Sequence, residues 1–274
     1  MNLAVLKIFG GKIMSNGKIV SIHSFRGGTG KSNTTANLAA QVALTGKRVG
    51  VVDTDIQSPG IHVLFGLDED KMGKTMNDFL HGKATIKEIG FNIGENTGGD
   101  EGRAKLKGKN LWLFPASIRG REISQILREG IDFNKLNEGL QSTISEFNLD
   151  YLFIDTHPGL NEETLLSIAT SDILIIILRP DNQDLQGTSV TVDIARSLDV
   201  PNLFLLVNKA LPKYDFAKIR DDIQNQFNAQ VTGVLPLSFD MAENASKDLF
   251  SLRYPEHEWS KSLIGVVDFI LAAK

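Results

Sequence analysis

Ser24-Phe-Arg-Gly-Gly-Thr-Gly-Lys-Ser-Asn-Thr-Thr35 stands between an alternating apolar run, Lys18-Ile-Val-Ser-Ile-His23, and a stretch of helical period from Ala36 to Leu44. A glycine-rich turn leading from a strand into a helix and closing on Gly-Lys-Ser is the chemical description of a phosphate cradle. Gly27, Gly28 and Gly30, with Thr29 in the same turn, let backbone N–H groups approach a polyphosphate where a Cβ would crowd the anion. Lys31 adds a point charge between the terminal phosphates, and the hydroxyl of Ser32 suits a Mg²⁺ ion. The expected ligand is a nucleoside triphosphate with Mg²⁺.

Three further segments fall where such a site needs them. Arg48-Val-Gly-Val-Val-Asp-Thr-Asp55 is a β-branched run ending in two carboxylates, Asp53 and Asp55. Tyr151-Leu-Phe-Ile-Asp155 is another apolar run ending in an acid, followed by Thr156-His-Pro-Gly159. A carboxylate at such a strand end can hold a water bound to Mg²⁺, and Pro-Gly permits a turn that senses the terminal phosphate. Asn202-Leu-Phe-Leu-Leu-Val-Asn208-Lys209 closes a further strand on an amide, and Pro236 lies in the turn after Val231 to Leu235.

The pattern Gly-x-x-x-x-Gly-Lys-Ser/Thr is not met, because Phe25 stands where it requires glycine. The segment Arg26 to Ser32 instead resembles the deviant P-loop of the ParA/MinD family, Lys-Gly-Gly-x-Gly-Lys-Ser/Thr, with Arg26 in place of the family's signature lysine. The resemblance runs from Lys18 to the end of the chain. It implies a Mg²⁺-dependent ATPase that dimerises around two ATP molecules and positions or partitions a cargo, turning over slowly until an adaptor protein stimulates it. It implies that Gly27 to Ser32 hold the phosphates and that Ser32, Asp53 and Asp155 serve the Mg²⁺. Lys31 would neutralise charge growing on the β,γ-bridge, and Asn33 stands where the family usually has a threonine beside the α-phosphate. The segments Asp53 to Gly60 and Asp155 to Leu160 look like switch I and switch II, with Asp55 matching the carboxylate that orients the attacking water. Arg26 would reach the partner's nucleotide, bidentately where the lysine makes a point contact. Asn208 would contact the adenine and Pro236 would flank it. Two other readings stay open: a nucleotide-dependent binding module without useful hydrolysis, and an enzyme like cobyrinic acid diamide synthase, for which no amidotransferase half is visible. Only three tyrosines are present, with no cluster of the kind a bacterial tyrosine kinase relative carries.

At 274 residues, with 42% hydrophobic and 23% charged residues, the simplest organisation is one large α/β domain over residues 18–274 behind an N-terminal extension, residues 1–17. Apolar runs at 18–24, 48–53, 110–114, 150–155, 173–178, 202–208 and 231–236 alternate with helical stretches at 32–45, 74–81, 119–129, 133–147, 161–170, 184–198, 214–227 and 259–273. Near-continuous strands such as Ile173-Leu-Ile-Ile-Ile-Leu178 require cover on both faces, so the predicted fold is a doubly wound, mostly parallel sheet with its ligand at the C-terminal strand edge. The polar, glycine-rich interruption from Glu95 to Asn110 reads as a mobile surface loop.

The chain has no cysteine, which removes disulfides, thiolate metal sites and the cluster chemistry of the iron–sulfur members of this superfamily. A cytoplasmic location is expected. Residues 1–14 are apolar with two lysines, a composition that suits a membrane surface; Lys7 and Lys12 do not share one helical face and Gly10-Gly11 weakens a helix, so a flexible extension is expected instead. The basic amphipathic C-terminal helix of MinD-type relatives is likewise not expected after Lys274. A net charge of −4 gives no global attraction to nucleic acid. ParA-type relatives bind DNA nonspecifically, which leaves two local basic patches, Arg103 to Lys109 and Lys209, Lys213, Lys218 and Arg220, as DNA candidates against the plainer reading of solvated charge. The five histidines show no metal-ligand spacing, and His157, the one inside a functional segment, reads as a packing or turn residue, the alternative being a place in the site near the γ-phosphate.

Overall fold

Period-two patterning settles which face each strand turns to which helices. The computed structural model describes residues 17–98 and 100–273, so the expectations for residues 1–16, the flexible extension and the membrane reading, and for Lys274 lie outside the described residues. Eight strands form one sheet: β1 (Lys18–His23), β2 (Val49–Asp53), β3 (Phe91–Asn92), β4 (Leu111–Phe114), β5 (Tyr151–Asp155), β6 (Ile173–Leu178), β7 (Asn202–Ala210) and β8 (Gln230–Pro236). Their order is β3-β4-β2-β5-β1-β6-β7-β8, and every pair is parallel except β3 with β4. From β1 the chain first builds outward on one side, then returns through β5 and builds outward on the other, which makes the end of β1 the topological switch point where open α/β sheets take their ligands.

The helices are α1 (Lys31–Leu44), α2 (Ile61–Leu64), α3 (Met76–Leu80), α4 (Ile86–Ile89), α5 (Gly120–Glu129), α6 (Phe133–Glu146), α7 (Glu162–Thr170), α8 (Asn182–Ser197), α9 (Phe216–Phe227), α10 (Phe239–Asn244), α11 (Phe250–Arg253) and α12 (Glu258–Ala272). Val20 and Ile22 of β1 face the layer formed by α1, α11 and α12, where Leu38, Phe250, Trp259 and Leu263 are buried. Ile19 faces the opposite layer with Leu140 of α6, Leu166 of α7, Val192 of α8 and Phe227 of α9. All six residues of β6 are buried, as its unbroken apolar run requires of a strand covered on both sides. Side-chain caps fix where several helices begin: Asp132, Asp181 and Asp215 each accept two backbone N–H bonds from the first turns of α6, α8 and α9, a contribution of about 1 kcal/mol each.

Every strand expected from the sequence is present, but β3 and the short helices α2, α4, α10 and α11 are not foreseen by it, because two to six residues carry too little periodicity to read. The segment from Glu95 to Asn110 is a correction. Its second half is not a mobile loop: a 3₁₀ turn over Arg103–Leu106 buries both of those residues. The carboxylate of Asp248, itself fully buried, accepts the N–H groups of Gly102 at 2.7 Å and Arg103 at 3.0 Å. The Arg103 guanidinium donates to the carbonyls of Leu64 and Lys247 and pairs with Asp100, and Lys105 donates to the Leu252 carbonyl. The candidate basic patch Arg103 to Lys109 therefore spends the Arg103 cation inside the fold and ties the exposed Lys105 to a carbonyl.

Candidate functional site

The loop after β1 is held open by the end of β7. Gly28 and Gly30 have φ of +76° and +96°, a region L side chains rarely adopt. Asn208 donates Nδ2–H to the Thr29 carbonyl at 2.8 Å, and Lys209 donates from Nζ to the Gly28 carbonyl at 2.7 Å. In a trans peptide the N–H opposes the C=O, so drawing these two carbonyls toward β7 turns the amides of Thr29 and Gly30 the other way. Lys209 is itself left-handed, with φ +58°, which a lysine adopts only when its surroundings hold it there. The loop feeds α1 at Lys31, a helix whose first turn carries no acid, so its unpaired N–H groups and positive dipole end are uncompensated. Lys31 is buried with its charge beside Asp155.

Two carboxylates end adjacent strands at one level. Asp53 of β2 is in register with Asp155 of β5, and both are buried. Burial, then the mutual charge of Asp155 and Asp55, drives the Asp53 carboxyl well above the ordinary range, although it accepts the N–H groups of Asp55 at 3.0 Å and Gly60 at 3.3 Å. Burial likewise pushes Asp155 up to about 6, against the opposing pull of Lys31 and hydrogen bonds from Ser32 and Thr35. In this corner Lys31 is the cation set against the two carboxylates, and burial outweighs its pull on Asp155. Among the described residues no three or more His, Asp or Glu side chains are grouped to hold a metal by themselves, and a Mg²⁺ that keeps phosphates and waters as ligands needs no such cage.

On the far side of the loop a cleft of about 330 Å³ is lined by Gly30, Asn33, Asn208, Pro236, Met241 and Trp259 among others. It thus brings together Asn208 and Pro236, for which the family resemblance implies a shared base. Asn208 is almost fully buried, and its Oδ1 lies 3.4 Å from the indole Nε1–H of Trp259. Asn33 lines this cleft rather than standing apart from it, and its carbonyl accepts from Asn37.

Arg26 is exposed and its guanidinium donates to Gln183 of α8. The departure at Phe25 has a packing reason: a Cβ at Gly187 of α8 would overlap the Phe25 ring, so ring and glycine are fitted to each other. Asp55 lies at the rim of the carboxylate corner, with its side chain 13% exposed. His157 is a correction, since its bond is not local: Nδ1 lies 2.7 Å from Asp55 Oδ1, across two segments. Sequence reasoning also passes over His23, whose fully buried ring sits 2.9 Å from the Thr156 hydroxyl and is held down to about 3 by burial first and by the charge of Lys31 second. No local signal marks either contact.

The family model described as AAA domain matches residues 17–202. The chain belongs to the ParA/MinD family of P-loop ATPases. A flagellum site-determining protein of Helicobacter pylori is 32% identical over 201 residues, which is 72% of this chain and 60% of that protein. An iron–sulfur cluster carrier protein of Methanocaldococcus jannaschii is 31% identical over 198 residues, 70% of this chain and 59% of that protein. The chain therefore spans less than two thirds of the length of either relative. The fold is shared with the septum site-determining protein MinD of Pyrococcus horikoshii, solved with Mg-ADP, at a TM-score of 0.75 and 19% identity over 93% of this chain and 96% of that one. Among the described residues no helix is long and apolar enough to cross a membrane.

Proposed function

We propose that the protein is a Mg²⁺-dependent, ATP-binding and ATP-hydrolysing dimerisation switch that positions or partitions a cellular cargo. The observation that carries this reading is the juxtaposition of the glycine cradle at the start of α1 with the registered, buried pair Asp53 and Asp155. Gly27 to Ser32 hold the phosphates, Lys31 neutralises charge developing toward the β,γ-bridge, and Asn208 and Pro236 hold the base beside Asn33. The Ser32 hydroxyl and the carboxylates of Asp53 and Asp155 would hold Mg²⁺, directly or through its waters. When bound, that ion would supply positive charge against the phosphates. Asp55 orients the attacking water, and Arg26 leaves Gln183 to reach the partner's nucleotide. The Pyrococcus protein's Mg-ADP supports the choice of ligand. The absence of cysteine from the sequence argues against the cluster chemistry of the carrier relative. A protein adaptor is the expected stimulus, and nonspecific DNA, rather than a membrane, is the candidate matrix.

Light scattering of the purified chain with and without ATP·Mg²⁺ tests assembly: wild type is expected to double in mass and Arg26→Ala to stay monomeric. A wild type that stays monomeric refutes the switch. Phosphate release equal in wild type and Asp55→Ala refutes the assignment of the water-orienting acid, and no release from either leaves the binding-module reading in its place.

A further inference from the structure

Asp53 and Asp155 are in register at the ends of β2 and β5, and the two chains leave the sheet side by side. The pairing continues one residue further, where Thr54 donates both its N–H and its hydroxyl to the Asp155 carbonyl, each at 3.0 Å. One more step along each chain brings Asp55 opposite His157, at 2.7 Å, though they are 102 residues apart in sequence. A carboxylate only accepts, so Nδ1 of His157 carries the proton and donates. The N–H and hydroxyl of Ser58 donate to the same atom, Asp55 Oδ1, at 3.1 and 3.0 Å. Three donors thus converge on one oxygen, and Oδ2 is the oxygen left to accept from water.

We propose that His157 is the positioning residue that aims Asp55, tying the segment Asp53–Gly60 to the segment Asp155–Leu160. This rests on the reading of Asp55 given under the proposed function. The pair is largely withdrawn from solvent, at 24% exposure for the His157 side chain and 13% for that of Asp55, so the charge-assisted bond is not diluted by competing water. Ser58 sits on the same segment as Asp55 and moves with it. Among the described donors to the Asp55 side chain, His157 is the one that comes from another strand's end, and so it fixes the carboxylate relative to the rest of the site. The bonds that draw the loop's carbonyls to β7 come from Asn208 and Lys209, and the bond from the His157 segment to the loop's first residue is made by the Gly159 N–H to the Ser24 carbonyl at 3.0 Å, not by the His157 side chain. Orientation of water should therefore depend on it, and nucleotide affinity should not.

The test uses the full chain and the variants His157→Ala, His157→Asn and Asp55→Ala, the asparagine amide keeping a donor near the position of Nδ1. Expected for His157→Ala is a fall in kcat of about tenfold with KM for ATP, and the calorimetric Kd for ADP·Mg²⁺, within about twofold of wild type. His157→Asn is expected to recover most of the loss. Independently of turnover, ¹⁵N-histidine NMR of the nucleotide-free protein is expected to show a hydrogen-bonded Nδ1–H for His157 that disappears in Asp55→Ala. The proposal is overturned by an unchanged kcat in His157→Ala, by a parallel loss of nucleotide affinity, by an asparagine variant as slow as the alanine one, or by a His157 signal indifferent to Asp55→Ala. If His157→Ala does not fold, the asparagine variant and the NMR signal decide. Loss of turnover in Asp55→Ala with none in His157→Ala removes this proposal alone, whereas wild-type turnover in Asp55→Ala removes the role of Asp55 and this proposal with it.

Discussion

Replacing Gly30 by alanine strikes the cradle at its tightest point. The residue has φ +96°, and an added Cβ would lie 2.6 Å from Nδ2 of Asn208. A left-handed alanine costs about 1–2 kcal/mol. Displacing Asn208 breaks its bond to the Thr29 carbonyl and leaves a buried amide unsatisfied, a further cost of about 1–3 kcal/mol. The two together amount to about 2–5 kcal/mol. If the loop keeps its shape the cost falls on folding. If the loop relaxes, it falls on ligand binding, where 2 kcal/mol alone is about thirtyfold in Kd. Denaturant unfolding and calorimetry with ADP·Mg²⁺ on the same protein capture both parts. Gly28→Ala is the control for nucleotide-free stability: its φ is +76° but nothing in the protein lies within 4 Å of the added Cβ, so in denaturant unfolding only the backbone cost of about 1–2 kcal/mol applies. In an Asn208→Ala background the cost of Gly30→Ala should shrink to that of the control. A loss of unfolding free energy for Gly30→Ala no larger than for Gly28→Ala, with nucleotide affinity of Gly30→Ala unchanged, would refute the argument that Asn208 clips the loop.

Acid titration should separate two opposed buried groups. Asp155, raised to about 6, destabilises the folded nucleotide-free protein above that pH, and the penalty is relieved as pH falls from about 6 toward 4, so Asp155→Asn should melt above wild type at pH 7.5 with a gap that narrows at pH 5. His23, held down to about 3, stays neutral while the unfolded chain protonates below about 6.5, so it costs stability on acidification and His23→Asn should show a flatter decline between pH 6.5 and 4. Gly187→Ala should lower the melting temperature by several degrees: overlap with Phe25 costs about 1–3 kcal/mol, more than the 0.5–1 kcal/mol that alanine gains inside a helix, and a raised melting temperature would contradict the packing account of Phe25. Asp248→Ala leaves the N–H groups of Gly102, Arg103 and Leu249 without their acceptor, so it should cost at least about 3 kcal/mol and open the segment 100–109 to limited proteolysis.

Sequence and structure divide along a physical line. The apolar run of β6 and the alternation in β1 carry their faces in their own residues, which is why the strands and the two covered faces of the sheet could be read one segment at a time. The segment 95–110 misled because glycines and lysines describe a solvated loop locally, and nothing in those residues announces the carboxylate of Asp248 that draws the turn inward.

What the chain alone determined is the strand, the glycine turn and the helix that make an anion cradle, together with the acids and the amide that end its strands. These depend on backbone freedom and side-chain period, properties of neighbours along the chain. Tertiary structure alone decided that Asp53 faces Asp155, that His157 meets Asp55, that Phe25 lies on Gly187 and that Asn208 grips Thr29. Those meetings follow from strand order and register, which set distances between residues a hundred or more positions apart and leave no trace in the local spacing of either partner.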